Sequence, residues 1–170
     1  MSLKTAMIRA SQSEDARPST IVENMVATGS YCSFPCTTTE EKKRVFNAIN
    51  AADVRLRSAV NMKINVTGVY IEPVELGKQD AEGNPVYVVR EDGSVVEEDG
   101  EPVQKTDICP RMVIFADDGK TYGCCSFGAY NAMKRIFNLF GTPDTWAEPV
   151  TIIPQIVDNG KKQILTIALG

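Results

Sequence analysis

The chain has 170 residues, of which 43% are hydrophobic, and a formal net charge of −4; this suits one domain with an elaboration and a single core. It contains no histidine, so the commonest general base and the commonest transition-metal ligand are missing, and we expect neither an enzyme nor a metal or cofactor site. No run of 18 apolar residues occurs and residues 1–14 are polar, which predicts a cytoplasmic protein without a membrane span or secretory signal.

Residues 1–59 predict an N-terminal extension with one short helix. Ser, Thr and Pro punctuate residues 1 to about 36, which is typical of irregular segments. Thr38 and Glu41 then have the spacing of a capping box, which begins a helix. Asp53 is expected to cap a further helical turn. The apolar residues expected on the buried face of the first helix are Val45, Phe46 and Ile49.

Residues 60–170 predict the main domain, which opens with a strand. Val60 to Tyr70 alternates apolar and polar residues, the pattern of a strand with one buried face. A protruding hairpin arm is predicted over residues 78–107, where Glu91-Asp92-Gly93 and Asp99-Gly100 are turn signals between short strands.

The negative charge is concentrated around this arm. Between Glu72 and Asp107 the chain has eleven acidic and three basic residues, a local net charge of −8, so the remaining residues together carry +4. The field at a surface, rather than the total charge, decides where a polyanion approaches. The body of the protein is therefore able to bind phosphates although the pI is near 5.0.

The clearest hairpin signal joins residues 111–116 to residues 121–126. A two-residue turn at Asp118-Gly119 would fix the register and place Phe115 opposite Tyr122 on one face.

A helix and two strands complete the predicted domain. Residues 127–140 have helical apolar periodicity, which Gly141 ends, and strands follow over residues 150–157 and 163–169. The element order is that of the oligonucleotide/oligosaccharide-binding (OB) barrel. The predicted fold class is therefore mainly β: a five-stranded barrel with a helix between strands 3 and 4, a long arm between strands 1 and 2, and an N-terminal helical extension.

The OB barrel commonly binds single-stranded nucleic acid on its second and third strands. Phe115 and Tyr122, paired across those strands, would stack bases, and each stacked base contributes about 1–3 kcal/mol. Basic residues beside them would neutralise phosphates. The alternative for the aromatic pair is packing within the sheet, beneath the N-terminal helix. The predicted nucleic-acid-binding residues are Lys63, Arg111, Phe115, Lys120, Tyr122, Lys161 and Lys162.

For two further sets of residues, five basic residues and the five cysteines, a structural role is favoured over a binding role. A set of five basic residues near the N-terminal helix is expected to be solvated, with contact to a nucleic-acid backbone as the alternative: Lys42, Lys43, Arg44, Arg55 and Arg57. The five cysteines are an odd number without a CxxC pair, so reduced, inert thiols are favoured over disulfides or a zinc site. Cys32 and Cys36 belong to this second set.

Three short motifs between residues 37 and 169 bear on the family. They are Val45–Asn50, Asp118–Tyr122 with the following Ser126, and the run from Ile136 to Trp146. These resemble the phage-type single-stranded DNA-binding proteins of tailed phages and mobile elements in Gram-positive bacteria, whose helix motif reads YNAxN. The resemblance implies an OB fold, sequence-independent binding of single-stranded DNA in the bacterial host cytoplasm and a role in replication or recombination, with DNA contact by Lys120 and Tyr122.

The expected partners are single-stranded DNA and replication proteins, with no membrane association. Self-association through residues 78–107 or the N-terminal segment is a further expectation. A second function stays open: an OB-fold structural or adaptor protein that mediates protein–protein contacts without binding nucleic acid. The acidic pI and the apolar strand Val86–Val89 favour that alternative.

Overall fold

A computed structural model describes residues 30–33 and 36–170 of the chain. They form two compact units: unit 1 takes the described residues up to Pro73 together with Pro110–Gly170, and unit 2 is Val74–Cys109. Within the described residues, no helix is long and apolar enough to cross a membrane. The irregular conformation predicted for residues 1 to about 36 falls mostly outside the described residues.

The described chain is mainly β, as predicted. The strands are β1 (Tyr31–Cys32), β2 (Val54–Arg55), β3 (Ile64–Gly77), β4 (Glu97–Glu98), β5 (Glu101–Pro102), β6 (Thr106–Ala116), β7 (Thr121–Cys125), β8 (Val150–Asp158) and β9 (Gln163–Leu169). The helices are α1 (Thr39–Asn50) and α2 (Phe127–Phe140), and short 3-10 turns cover Leu56–Ala59 and Pro143–Thr145.

One sheet contains the strands of unit 1, in the order β2-β7-β6-β3-β8-β9, with β1 pairing to β3. The hairpins β6–β7 and β8–β9 are antiparallel, whereas β2 lies parallel to β7. The helix α2 connects β7 to β8 and has the predicted bounds, because its N-cap Ser126 and its stop at Gly141 are local signals.

The two faces of this sheet carry two separate hydrophobic clusters. The larger cluster packs α2, through Met133 and Phe137, against the face that includes Ile114. The smaller cluster packs α1 against the other face, through Val45 and Ala48. Both faces are therefore covered by helices.

The capping box of α1 is confirmed. The Thr38 hydroxyl accepts from the Glu41 backbone N–H at 3.2 Å, and the Glu41 carboxylate accepts from the Thr38 N–H at 2.9 Å. Hydrogen bonds from the backbone N–H groups of Thr38 and then Thr37 hold the pKa of Glu41 below its ordinary value. The prediction that Phe46 lies on the buried face is wrong, since its side chain is 65% exposed. At 3.6 residues per turn, position 46 points about 100° away from Val45.

The first long strand is shorter at its start than predicted. Ile64 and Val66 are buried, as the alternation predicts, but the strand begins at Ile64 rather than Val60. Asn61 has φ 66°, a left-handed conformation that interrupts an extended backbone, and Met62 is exposed.

The predicted register of the β6–β7 hairpin is wrong by one residue. Ile114 pairs with Tyr122 and Phe115 pairs with Thr121, because the loop has three residues instead of two. Gly119, at φ 83°, supplies the left-handed residue of this loop. Phe115 and Tyr122 therefore lie on opposite faces of the sheet.

A long-range contact fixes that three-residue loop. The Asp117 backbone N–H donates to the carbonyl of Asn65 at 3.0 Å, and the Asn65 amide donates to the Asp117 carboxylate at 3.0 Å. Asp117 is thus tied to β3 and does not pair across the hairpin.

Unit 2 is built from tight turns with little core. Asp99 and Gly100 join β4 to β5, as the predicted turn at these residues requires. Their φ values of 50° and 83° are those of a type I′ turn. Backbone hydrogen bonds run from Val88 to Val103, from Val103 to Val96, and from Val96 to Val88, which closes a ring. These valines are only half-buried.

Charge separates between the two units. Unit 2 has ten acidic and three basic residues, a net charge of −7, whereas the described residues of unit 1 sum to +3. The net negative charge of the described residues is therefore a property of unit 2.

Candidate nucleic-acid interface

Unit 1 contains an open groove with a volume of about 1060 Å³. One wall is formed by the end of α1 and residues 51–57, the floor by β6 and β7, and the other wall by the start of α2 and the start of β9. No carboxylate occurs among the described residues that line it. We call this the cationic groove after its basic lining residues, Arg55, Arg57, Arg111 and Lys162.

The first pair of cations is positioned by Asp53. Its carboxylate accepts from the backbone N–H of Thr121 at 2.9 Å and from the Thr121 hydroxyl at 3.0 Å. The Asp53 N–H donates back to that hydroxyl at 3.0 Å. These bonds hold β2 parallel to β7 and place Arg55 on the wall of the groove. Asp53 is therefore a strand anchor rather than the predicted helix cap.

Arg57 follows two residues later in a 3-10 turn. Leu56 and Ala59 in the same turn are fully buried and pin it to the main core. The residues between the anchors point outward, so Arg57 stays exposed beside Arg55. Neither arginine forms an ion pair within the described part of the chain.

The second pair of cations comes from β6 and the β8–β9 loop. Arg111 lies 3.6 Å from the carboxylate of Glu72, and both side chains stay partly exposed. Asn159 organises the loop, since its side-chain oxygen accepts from the backbone N–H of Lys162 at 3.0 Å and from that of Lys161 at 3.2 Å. Lys162 lines the groove and Lys161 is its exposed neighbour.

An exposed aromatic side chain stands on the opposite wall. Phe127, the first residue of α2, lines the groove and is 54% exposed. Its backbone is held by Ser126, whose hydroxyl accepts from the Ala129 N–H and donates to the carbonyl of Leu165, both at 3.2 Å. A ring held at a helix start offers an aromatic face at low entropic cost.

The two aromatic residues predicted to stack bases are not exposed. Phe115 is 2% exposed and packs in the cluster beneath α1, where the Arg44 guanidinium lies 5.3 Å from its ring centre. Tyr122 is 4% exposed and belongs to the main core. Their packing follows the alternative interpretation of this pair, with the N-terminal helix as the cover of Phe115.

The structure brings some predicted residues together and adds others. Arg111 and Lys162 line the cationic groove, whereas Lys63, Lys120 and Lys161 are exposed but do not line it. The sequence had marked Arg55 and Arg57 only as part of a basic set, and it had not marked Phe127 as a binding residue. Its position directly after a predicted strand and an N-cap serine was the sequence signal that could have identified Phe127 as a binding residue.

Two adjacent cysteines differ sharply in environment. Both line the groove, but Cys124 is partly buried and Cys125 is exposed. Burial raises the pKa of the Cys124 thiol to about 12, with a smaller opposing effect from the Ser126 backbone N–H. Within the described residues, no group of three or more candidate ligands is placed to hold a metal ion.

We expect iodoacetamide at about pH 8 to alkylate Cys125 faster than Cys124, because the thiolate is the reactive form and the raised pKa of Cys124 lowers its thiolate fraction. Peptide mass mapping after timed alkylation measures this difference. The same mapping after unfolding in guanidinium is the control, in which both residues should react. Equal reaction rates in the folded protein would contradict the difference in burial between the two cysteines.

The chain matches no protein-family model, no curated protein and no solved structure.

Proposed function

We propose that the chain is a sequence-independent single-stranded DNA-binding protein built on an OB barrel, and that the cationic groove is its DNA site. The observation that carries this proposal is the lining of the groove. Four cations, no carboxylate among the described lining residues, and one exposed aromatic ring lie along a single open channel. Neutralisation of DNA phosphates and stacking of bases are the two main contributions to the affinity of non-specific single-strand binding.

The strand order supports the OB assignment. If β3, β6, β7, β8 and β9 are numbered one to five, their lateral order in the sheet is third, second, first, fourth, fifth, and α2 joins the third strand to the fourth. An OB barrel has its strands in this order, which supports the assignment. The OB ligand surface uses strands two and three and the loop between strands four and five. Arg111, Cys125 and Lys162 occupy those elements.

The chemistry of the groove favours an unpaired strand over a duplex. The Phe127 ring can stack only on the exposed face of a base. In a duplex the faces of the paired bases are covered by the neighbouring base pairs. Arg55 and Arg57 would follow the phosphates on the other wall. The resemblance to phage-type proteins supports a role in phage or mobile-element replication or recombination within a bacterial host cytoplasm.

We expect the protein to bind fluorescein-labelled oligo-dT in an anisotropy titration, with affinity that falls steeply as salt rises. Phe127→Ala should weaken binding by about 5- to 150-fold, the equivalent of one stacked base at about 1–3 kcal/mol. Phe127→Tyr should retain binding, whereas Phe127→Leu should not restore it. The salt dependence should stay unchanged, because no charge is altered.

Phe46→Ala is the matched control, since that ring is also exposed but does not line the groove. Protection of Cys125 from alkylation by saturating oligo-dT gives a second, independent report of where the strand lies. Absence of oligo-dT binding at low salt would overturn the proposed function. An equal loss in the Phe46 and Phe127 variants would place the site elsewhere.

A further inference from the structure

No residue of unit 2 lines the cationic groove, yet this unit carries the net negative charge of the described chain. Unit 2 contains ten acidic and three basic residues. One ion pair is formed among them, between Lys78 and Asp107 at 3.9 Å. Most of this negative charge is therefore left without a cationic partner inside the unit.

The charge is densest on the β4–β5 hairpin, where every residue is exposed. Glu98 pairs directly with Glu101 across the two strands. Like charges at opposed positions of an antiparallel pair destabilise it, and Asp99 at the turn adds a third carboxylate. A cationic surface placed against this hairpin would relieve the repulsion.

The cationic groove has the complementary property. Arg55, Arg57 and Lys162 form no ion pair with any residue in the described parts of the chain. Apolar side chains from α1 and β9 line the space between the cations, among them Ile49 and Ile164. Such a groove suits any extended chain that presents regularly spaced anions, whether phosphates or carboxylates.

We propose that, in the absence of DNA, the acidic β4–β5 hairpin of a second copy of this chain occupies the cationic groove. The proposal rests on the proposed function and adds its regulation. The contact joins different surfaces of the two copies, so a pair of copies keeps one free groove and one free hairpin, and longer assemblies form by the same step. Single-stranded DNA and the hairpin compete for one site, so each weakens the binding of the other by the same factor.

Charge reversal on each side tests the contact. Glu98→Lys with Glu101→Lys, and separately Arg55→Glu with Arg57→Glu, should each weaken self-association at low salt by at least about tenfold. Sedimentation velocity measures it. A mixture of the two variants should associate again, because each variant then meets an opposite charge. Glu82→Lys with Glu91→Lys is the matched control: it makes the same charge change elsewhere in unit 2 and should retain association.

DNA binding separates this inference from the proposed function. The Glu98/Glu101 variant should bind oligo-dT at least as tightly as the unaltered protein, whose apparent affinity should fall as protein concentration rises. Oligo-dT should dissociate the assemblies. A protein that is monomeric at low salt, or a mixture that fails to associate, overturns the inference. Tighter DNA binding by that variant without any dependence on protein concentration also overturns it, since competition would then lie within one chain. Assembly without DNA binding would overturn the proposed function alone.

Discussion

Replacing Arg55 and Arg57 together with glutamate is expected to abolish detectable binding to oligo-dT at physiological salt. The two changes would remove the two phosphate contacts that we propose and add two anions to the same wall of the groove. In the milder pair Arg55→Ala and Arg57→Ala, the slope of log affinity against log salt should fall by about 1.4, since each neutralised phosphate on a single strand contributes about 0.7. Anisotropy titrations across a salt series measure both effects.

The fold should tolerate these substitutions. Arg55 and Arg57 are exposed and form no ion pair with the rest of the described chain, while Leu56 between them keeps the segment anchored. Lys42→Glu with Arg135→Glu is the control, because it makes an equal charge change at exposed positions that do not line the groove. An equal loss in that control would attribute binding to net charge and contradict the assignment of the groove.

Gly128→Ala is expected to destabilise the protein by about 1–3 kcal/mol or more, the cost of overpacking a filled site. A Cβ at Gly128 would lie 2.3 Å from the carbonyl oxygen of Leu165 and 2.5 Å from Cγ2 of Ile164. The first of these is backbone and cannot rotate away. Inside a helix the same substitution ordinarily stabilises by roughly 0.5–1 kcal/mol, so the sign of the change is diagnostic.

Urea denaturation followed by circular dichroism measures this change as a shift in the midpoint. Asn131→Ala, one turn later on the exposed side of α2, is the control and should shift the midpoint little. A midpoint for Gly128→Ala at or above that of the unaltered protein would contradict the close approach of α2 to β9.

Local signals were enough to predict most of the elements. The capping box at Thr38 and Glu41, the N-cap and stop of α2, and the Asp99-Gly100 turn each depend on residues within a few positions of one another. The strand β9 was also predicted with its observed bounds, because its apolar run has clear turn residues before it. The mainly β character and the helix between β7 and β8 follow from these elements.

The hairpin register and the site depended on contacts that are distant in sequence. Asp117 is drawn to Asn65, 52 positions away, and that tie accompanies the three-residue loop that separates Phe115 from Tyr122. Asp53 reaches Thr121 across 68 positions and carries two arginines to the sheet. Sequence periodicity describes one continuous segment at a time. It therefore identified the basic residues but could not show which of them line the same groove.

The Asp53–Thr121 hydrogen bonds have a kinetic consequence. They attach β2 to the sheet through a carboxylate, a hydroxyl and two backbone N–H groups, so the backbone that carries Arg55 is held in place without a ligand. Preorganisation of this kind lowers the entropy lost on association, and a fixed positive field steers anionic strands toward it. Where the groove is free, we therefore expect the encounter itself to limit the rate of binding, and differences in affinity between ligands should appear mainly in how quickly they leave.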